Sequence, residues 1–356
     1  MTFGPLYLSA LGIVSALGTG IDETRTTLRG DRVADMIARD GFMASGSTIL
    51  GTVTQAPAKL PEHLTRHDTR NNRLLWAATC QIRDQITDLI ATTGKDRIGI
   101  VMGTSTSGIE EGTTDYQATL DQGTFPEGFL YSHQEIGSPA DFLREAFDLG
   151  GPAYVISTAC SSSAKAFAAS ARLIKAGLCD AVLVGGVDSL CRLTVRGFDA
   201  LQSISAGVCN PMSIHRDGIN IGEGAALFIL RRDAGEVELL GVGESSEARA
   251  VCDVRGPDVP ASSTKPMTGH TLGAAGAIEA AILWLSLSDA PDRASLPRHI
   301  WDGKKDADIP ELQLINDTNA HLAPMDRCAM MSNSFAFGGS NVSVILGQGW
   351  QRGKPA

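Results

Sequence analysis

Cys160 ends an apolar, β-branched run, Ala153-Tyr154-Val155-Ile156, and is followed by three serines, Ser161-Ser162-Ser163. The pattern reads as a strand breaking sharply into a helix. A cysteine at that break is a candidate nucleophile, because the first turn of a helix carries unpaired N–H groups and the positive end of the dipole, and both favour the thiolate. His270 stands in a second glycine-rich turn, Gly269-His270-Thr271-Leu272-Gly273, with Lys265 five residues earlier and Glu279 on the helix that follows. A cysteine and a histidine placed at two helix entrances make a plausible nucleophile and partner. The pair Gly338-Gly339 could present backbone N–H groups to a developing oxyanion. Each feature also has a plainer reading. A free cysteine is usually a small buried hydrophobe, the reading given to Cys80, Cys179, Cys191, Cys209, Cys252 and Cys328. A lone histidine is more often structural, and a glycine pair is often just a turn between strands.

These residues need elements to hold them. After Ala164 the apolar positions Phe167, Ala168, Ala171, Ile174 and Leu178 keep helical spacing, with Lys165, Arg172 and Lys175 on the other side and Gly177 closing the helix. Cys160 is therefore expected in the first turn. Buried strands are expected at 6–14, 97–102, 180–184, 225–230 and 237–242, with helices at 22–28, 74–90 and up to 287. Residues 31–54 show no clear pattern, and 116–138 read as an excursion over the surface. Alternation of strand and helix implies a sheet covered on both faces. The polar stretch 231–236 divides the chain into 1–232, which carries Cys160, and 233–356, which carries His270 and the glycine pair.

A net charge of −10 argues against nucleic acid as a partner, because phosphate binding needs a clustered positive surface. Arg66, Arg70 and Arg73, spaced by four and three, would share a helix face and form a local positive stripe, although a solvated charged face is the simpler reading. Seven cysteines without regular spacing form no disulfide framework, and no CxxC or Cys/His pair has zinc spacing. No metal or cofactor is expected. The first residues lack a basic region followed by an apolar core, and no later run is long and apolar enough for a membrane span, so a cytoplasmic location is expected.

Taken together, Thr158-Ala159-Cys160-Ser161-Ser162-Ser163, the run from Lys265-Pro266-Met267-Thr268-Gly269-His270 to Gly276, and Asn333-Ser334-Phe335-Ala336-Phe337-Gly338-Gly339-Ser340-Asn341 resemble, in order, the nucleophile, Lys/His and glycine-loop motifs of β-ketoacyl-[acyl-carrier-protein] synthases, condensing enzymes of the thiolase superfamily. Leu11-Gly12-Ile13-Val14-Ser15 and the stretch from Arg216-Asp217-Gly218 to Glu223-Gly224 fit as well. The wording of Ser332-Asn333-Ser334-Phe335-Ala336-Phe337 looks most like synthases of aryl-polyene or related polyunsaturated-chain pathways. The resemblance implies a thiolase-like α/β fold of two pseudo-duplicated halves in a five-layered αβαβα sandwich, and a homodimer or a heterodimer with another ketosynthase. It implies acyl transfer from an acyl carrier protein to Cys160, then decarboxylative condensation with a malonyl thioester in fatty-acid or polyketide chain elongation. In those terms the N–H groups of Cys160 and Phe337 form the oxyanion hole, and His270 donates to the malonyl thioester carbonyl. Lys265 and Glu279 orient that site, Phe337 with Gly338 and Gly339 gates the acyl pocket, and Arg66, Arg70 and Arg73 meet the acidic carrier protein.

One family feature is missing. The Asn-x-His-Gly-Thr-x-Thr motif has no counterpart, and Leu239 to Ser246 runs directly into Glu247-Ala248-Arg249-Ala250-Val251. The second half is thus expected to be shortened by a helix, a strand and a catalytic loop. His215, His299 and His321 do not replace the lost histidine by motif, and Ala336 stands where many members have glycine. Three readings follow: a condensing synthase, a non-condensing partner subunit of the chain-length-factor type, or a cysteine acyltransferase of the thiolase type.

Overall fold

The computed structural model describes residues 5–233, 235–245, 259–288, 296–309, 311–317, 320 and 327–349. Cys252, His321 and the stretch 247–251 lie outside the described residues. The strands are β1 (Tyr7–Ser15), β2 (Gly18–Thr19), β3 (Met36–Asp40), β4 (Ser47–Gly51), β5 (Ile98–Gly103), β6 (Ala153–Ile156), β7 (Ala181–Asp188), β8 (Gly224–Arg231), β9 (Val237–Ser245), β10 (Pro260–Ala261), β11 (Gln313–Leu314), β12 (Cys328–Phe335) and β13 (Asn341–Gln348). The helices are α1 (Gly20–Arg29), α2 (Arg70–Gln81), α3 (Arg83–Thr93), α4 (Ile109–Gln122), α5 (Ser138–Ala146), α6 (Ser162–Lys175), α7 (Arg192–Ala200) and α8 (Ala275–Ser288).

The main sheet runs β12-β13-β9-β1-β8-β7-β5-β6, with β2 paired to β1. β5 pairs in parallel with β6 and β7, whereas β7–β8 and β8–β1 are antiparallel. Only Tyr7–Glu238 and Leu8–Val237 join β1 to β9, so β9, β13 and β12 form a second, smaller face. Every residue of β5 and β7 is buried, as their apolar sequence, interrupted only by the closing Asp188, requires of strands covered on both sides. On one side Leu74, Leu75 and Ala78 of α2 pack with Phe142 of α5 against Leu183 and Leu227. On the other, Phe167 and Ile174 of α6 and Ile278, Ile282 and Leu285 of α8 fill the space between the two sheet faces. The partners there are Val182 and Phe228 from one face and Val342, Val344 and Leu346 from the other. A helix enclosed on nearly every side must be almost wholly apolar, and the Ala-Gly-Ala-Ile-Glu-Ala-Ala-Ile-Leu sequence of α8 meets that demand except at Glu279. Among the described residues no helix covers the outer face of β9, β13 and β12.

Three local expectations change. The helix expected over 74–90 is two helices, α2 and α3, parted at Ile82. Residues 116–122 belong to α4 rather than to a surface excursion. The featureless stretch 31–54 contains the β3–β4 hairpin.

One ion pair, its carboxylate fully buried and its arginine reaching the surface, bolts the first half together. Glu223 is fully buried at the head of β8, where its carboxylate accepts hydrogen bonds from Val53 N (3.0 Å), Leu190 N (3.3 Å) and the Arg70 guanidinium (2.8 and 2.5 Å). Removing one partner from a buried pair leaves an uncompensated charge and costs about 3–5 kcal/mol, whereas replacing both with neutral groups costs much less. Arg70→Ala is therefore expected to lower stability by about 3 kcal/mol in denaturant titration, with most of the loss recovered in Arg70→Met/Glu223→Gln. An Arg70→Ala protein as stable as the parent would contradict the clamp.

Candidate active site

The strand-to-helix break around Cys160 is built by hydroxyl groups. Ala159 lies in the left-handed region at φ 52°, a conformation that L residues avoid, and turns the chain just before the cysteine. Ser162 latches this turn, accepting from Thr158 N (2.9 Å) and donating to the Ala159 carbonyl (2.5 Å). Ser163 accepts from Ala277 N (2.9 Å), tying the start of α6 to α8, and Ser161 donates to the Thr158 carbonyl (2.9 Å) and to Ser340 Oγ (3.2 Å) in the glycine loop. Ser162 therefore closes the turn on itself, whereas Ser163 and Ser161 fasten it to α8 and to the glycine loop. Helix α6 begins at Ser162, so Cys160 precedes the first turn instead of lying within it.

His270 is held by its backbone between strands. Its N–H donates to the Asn220 carbonyl (2.6 Å), and its carbonyl accepts from Gly222 N (3.0 Å). A Cβ at Gly222 would lie 2.2 Å from the Thr268 carbonyl oxygen, so only glycine allows this approach. The result places His270 Nε2 2.8 Å from Cys160 Sγ.

Burial dominates the electrostatics of the pair. Desolvation pushes the Cys160 thiol above its ordinary range, against the opposing pull of the Lys265 cation and of the backbone N–H groups of Cys160 and Phe337. Burial, helped by Lys265, pushes the His270 imidazole down to about 3. Burial thus opposes the thiolate that a helix N-terminus would favour, and both shifts run toward a neutral thiol and a neutral imidazole. The two N–H groups directed at the sulfur are well placed to receive an oxyanion formed there.

The pair opens on a cavity of about 280 Å³ lined by Phe198, Ile219, Ala275 and Phe335 on its apolar side and by Lys265, Glu279 and Asn333 on its polar side. Lys265 Nζ is hydrogen-bonded to Glu279 Oε1, and Glu279 Oε2 accepts from Ser332 Oγ (2.7 Å). Phe337, two-thirds exposed, stacks on Phe198 at 5.7 Å and 28° over the cavity. Gly338 and Gly339 both take positive φ, 84° and 79°, and Gly339 N donates to the Ala336 carbonyl (3.1 Å), closing the turn that carries Phe337. The structure thereby brings Cys160, His270, Lys265, Glu279 and Phe337 together.

It does not bring the arginines into one open stripe. Arg66 lies in the 3₁₀ turn Glu62–His67 with its side chain 67% exposed and bonded to Glu145. Arg70 is spent on Glu223, and Arg73 forms a fork on Asp68 (2.6 and 2.6 Å). Of the other histidines, His215 pairs with Asp302 (2.7 Å), and His299 accepts from Ser263 N (3.0 Å) and lies 3.1 Å from the Pro211 carbonyl. Among the described residues His270 is the one histidine lining the cavity. Cys80 is exposed, whereas Cys179, Cys191 and Cys209 are buried as expected and Cys328 is half-buried. Sequence reasoning missed Phe198, which carries no motif, and Asp188, whose only sign was a carboxylate ending an apolar strand. No group of three or more metal-ligating side chains occurs among the described residues, and no helix there is long and apolar enough to cross a membrane.

Comparison with known proteins agrees with this geometry. Residues 58–235 match the β-ketoacyl synthase N-terminal domain and residues 241–292 the C-terminal domain. Similar curated proteins include 3-oxoacyl-[acyl-carrier-protein] synthase 2 of Staphylococcus aureus (strain COL), 24% identical over 416 aligned positions that cover 96% of this chain and 97% of that one. The enzyme of the same name from Vibrio cholerae is 29% identical over 323 positions, covering 70% and 75%. The 416 aligned positions exceed the 356 residues of this chain, so the Staphylococcus aureus synthase has residues for which this chain has none. Among solved structures, one chain of the complex of the ketosynthase ApeO with its chain length factor ApeC from Xenorhabdus doucetiae superposes with TM-score 0.89 at 36% identity, covering 97% of this chain and 98% of the matched one. The ishigamide ketosynthase/chain length factor shares the fold at TM-score 0.78 and 20% identity, covering 98% and 100%. The nucleophile turn, the histidine turn and the layered α/β frame around them have the same origin: the chain belongs to the β-ketoacyl synthase family, acyl-transferring condensing enzymes of thiolase-like fold.

Proposed function

We propose that this protein is a 3-oxoacyl-[acyl-carrier-protein] synthase that loads an acyl chain onto Cys160 and condenses it with malonyl-[acyl-carrier-protein] in fatty-acid or polyene/polyketide chain elongation. The observation that carries the reading is the 2.8 Å Cys160–His270 contact at the head of a cavity with a large aromatic and aliphatic share. In the first stage Sγ attacks the acyl thioester, its proton passes through His270 Nε2 to the departing carrier thiolate, and the tetrahedral oxyanion is held by the N–H groups of Cys160 and Phe337. In the second stage the malonyl carboxylate leaves as carbon dioxide. Once proton exchange with solvent has moved the imidazole hydrogen from Nδ1 to Nε2, the enolate oxygen accepts from His270 Nε2–H, with the Lys265 cation nearby and Glu279 orienting it, and the enolate carbon attacks the acyl group on Cys160. Collapse releases the 3-oxoacyl thioester and a thiolate that takes a proton from solvent. Phe337, seated on Phe198, gates the acyl pocket.

The division at 232/233, a cytoplasmic location and a carrier-protein site belong to the same proposal. Arg66, the most exposed of the three arginines, is the part of that site able to exchange its Glu145 partner for an acidic carrier, while Arg70 and Arg73 shape it. A second subunit of ketosynthase type is supported by the exposed apolar side chains Tyr116, Leu120, Phe125 and Tyr131 on and after α4. A second reading, the non-condensing partner subunit, is favoured by one observation: a single histidine lines the described cavity. Carbon dioxide release separates the two readings.

Mixed with acyl and malonyl carrier proteins, the wild type is expected to show acylated Cys160 by mass spectrometry and 3-oxoacyl product with carbon dioxide, and Cys160→Ala neither. Acyl-Cys160 without carbon dioxide would move the protein to the partner-subunit reading. Because the thiol is raised and the imidazole neutral, iodoacetamide alkylation of Cys160 should climb steadily from pH 6 to 9 with no inflection near the usual histidine range. A plateau below pH 7 would instead reveal a thiolate–imidazolium pair. Arg66→Glu should weaken carrier binding about fivefold at low salt and little in high salt, with only a small drop in melting temperature from the lost Glu145 pair. Equal affinities at low salt would remove Arg66 from the docking surface.

A further inference from the structure

We propose that Asp188 is a positioning residue that keeps the Cys160 turn and the His270 turn in register. It concerns the pair on which the proposed function rests, but it is carried by a separate set of contacts. Asp188 is fully buried at the end of β7, in the middle of the sheet. Its Oδ1 accepts from Thr104 Oγ1 (2.8 Å), Ser105 N (2.8 Å), Thr106 N (2.7 Å) and Thr106 Oγ1 (2.7 Å). Its Oδ2 accepts from Ala274 N (2.9 Å), four residues beyond His270. One carboxylate therefore gathers the loop after β5 with one oxygen and the turn after His270 with the other.

Both groups of contacts lead to the reacting atoms. The loop after β5 is bonded through Thr104 N to the Ile156 carbonyl (3.3 Å), at the end of the strand that delivers Cys160. It also lies so close to α6 that a Cβ at Gly103 would sit 2.3 Å from Ser163 N. On the other side, a Cβ at Gly273 would meet Thr104 C at 2.7 Å, and one at Gly186 would meet Ser163 Cβ at 2.5 Å and Ala274 Cα at 3.1 Å. Backbones packed this tightly leave no room for a side chain to wedge them apart, and the buried carboxylate supplies the polar contacts at their junction. Five charge-assisted hydrogen bonds also account for the presence of a charge where an apolar residue would otherwise be expected. Asparagine has the same shape, but its amide can accept on one side only, so in Asp188→Asn the Ala274 N–H or the Thr104–Thr106 donors face another donor.

The test separates position from charge. The charged and titratable groups that act on Cys160 are His270, Lys265 and Asp188 itself. Removing the Asp188 charge alters the thiol equally whether or not His270 is present, whereas losing position acts only through His270. Iodoacetamide alkylation of Cys160, followed by mass spectrometry of its peptide, is measured for wild type, Asp188→Asn, His270→Ala and the double variant, a cycle that isolates the coupling. Asp188→Asn is expected to slow alkylation about tenfold more in the wild-type background than in the His270→Ala background, since displacement by a fraction of an ångström costs roughly that much. Equal factors in the two backgrounds would overturn the inference. Thr104→Val, which keeps the shape and deletes one donor to Oδ1, should show the same pattern at about threefold. It stands in if Asp188→Asn does not fold, and equal factors for it overturn the inference too. Alkylation needs no acyl chemistry, so a wild type that fails to accept an acyl group would remove the proposed function and leave this result standing.

Discussion

The contact between Cys160 Sγ and His270 Nε2 joins residues 110 apart in the chain, and it exists only because α6 and α8 lie side by side between two faces of sheet. The inner position of the helices requires small residues at their N-termini. Gly276 approaches Ala164 so closely that a Cβ on the glycine would lie 2.7 Å from the Ala164 backbone nitrogen. Close approach of the helix starts then sets the distance between the two turns that precede them. The Ser163–Ala277 hydrogen bond and the Asp188 carboxylate fix the same junction from within.

That junction is dry, and dryness decides the chemistry. Nearby N–H groups and a lysine favour a thiolate, yet the cost of holding charge in a desolvated site is larger, and both cysteine and histidine rest uncharged. A neutral pair keeps the sulfur's proton within reach of the imidazole for transfer when an electrophile is seated. Lys265 is close enough to lower both groups, but Glu279 and Ser332 compensate and orient its charge. The electrostatic field of the cavity therefore comes from a positioned pair rather than from a free cation.

The shortened second half leaves this arrangement in place. β9, β13 and β12 still cover α6 and α8, and the turn carrying Phe337 still reaches the cysteine through Ser340. A second histidine in the cavity and a helix on the outer sheet face are what the described residues do not include. The part that holds a nucleophile and its oxyanion donors is thus structurally independent of the part that would add a second donor to an enolate.

Much of this was legible in the chain. Apolar runs marked the buried strands because a strand covered on both faces admits a polar residue only where partners are built for it, and the 3.6-residue period of Phe167, Ala171 and Ile174 marked α6. Cys160, the Lys265–His270 run and the glycine loop were visible as motifs, since each is a short segment whose backbone demands particular residues. Neighbours in space but not in sequence were invisible. Phe198 under Phe337, Glu223 holding Arg70, and Asp188 between two loops are ordinary residues until the fold brings their partners to them. The charge state of the site was decided by tertiary structure for the same reason. A helix terminus acts through its own few residues and can be read locally, whereas desolvation sums over everything packed around the sulfur, and those atoms come from strands and helices distributed along the whole chain.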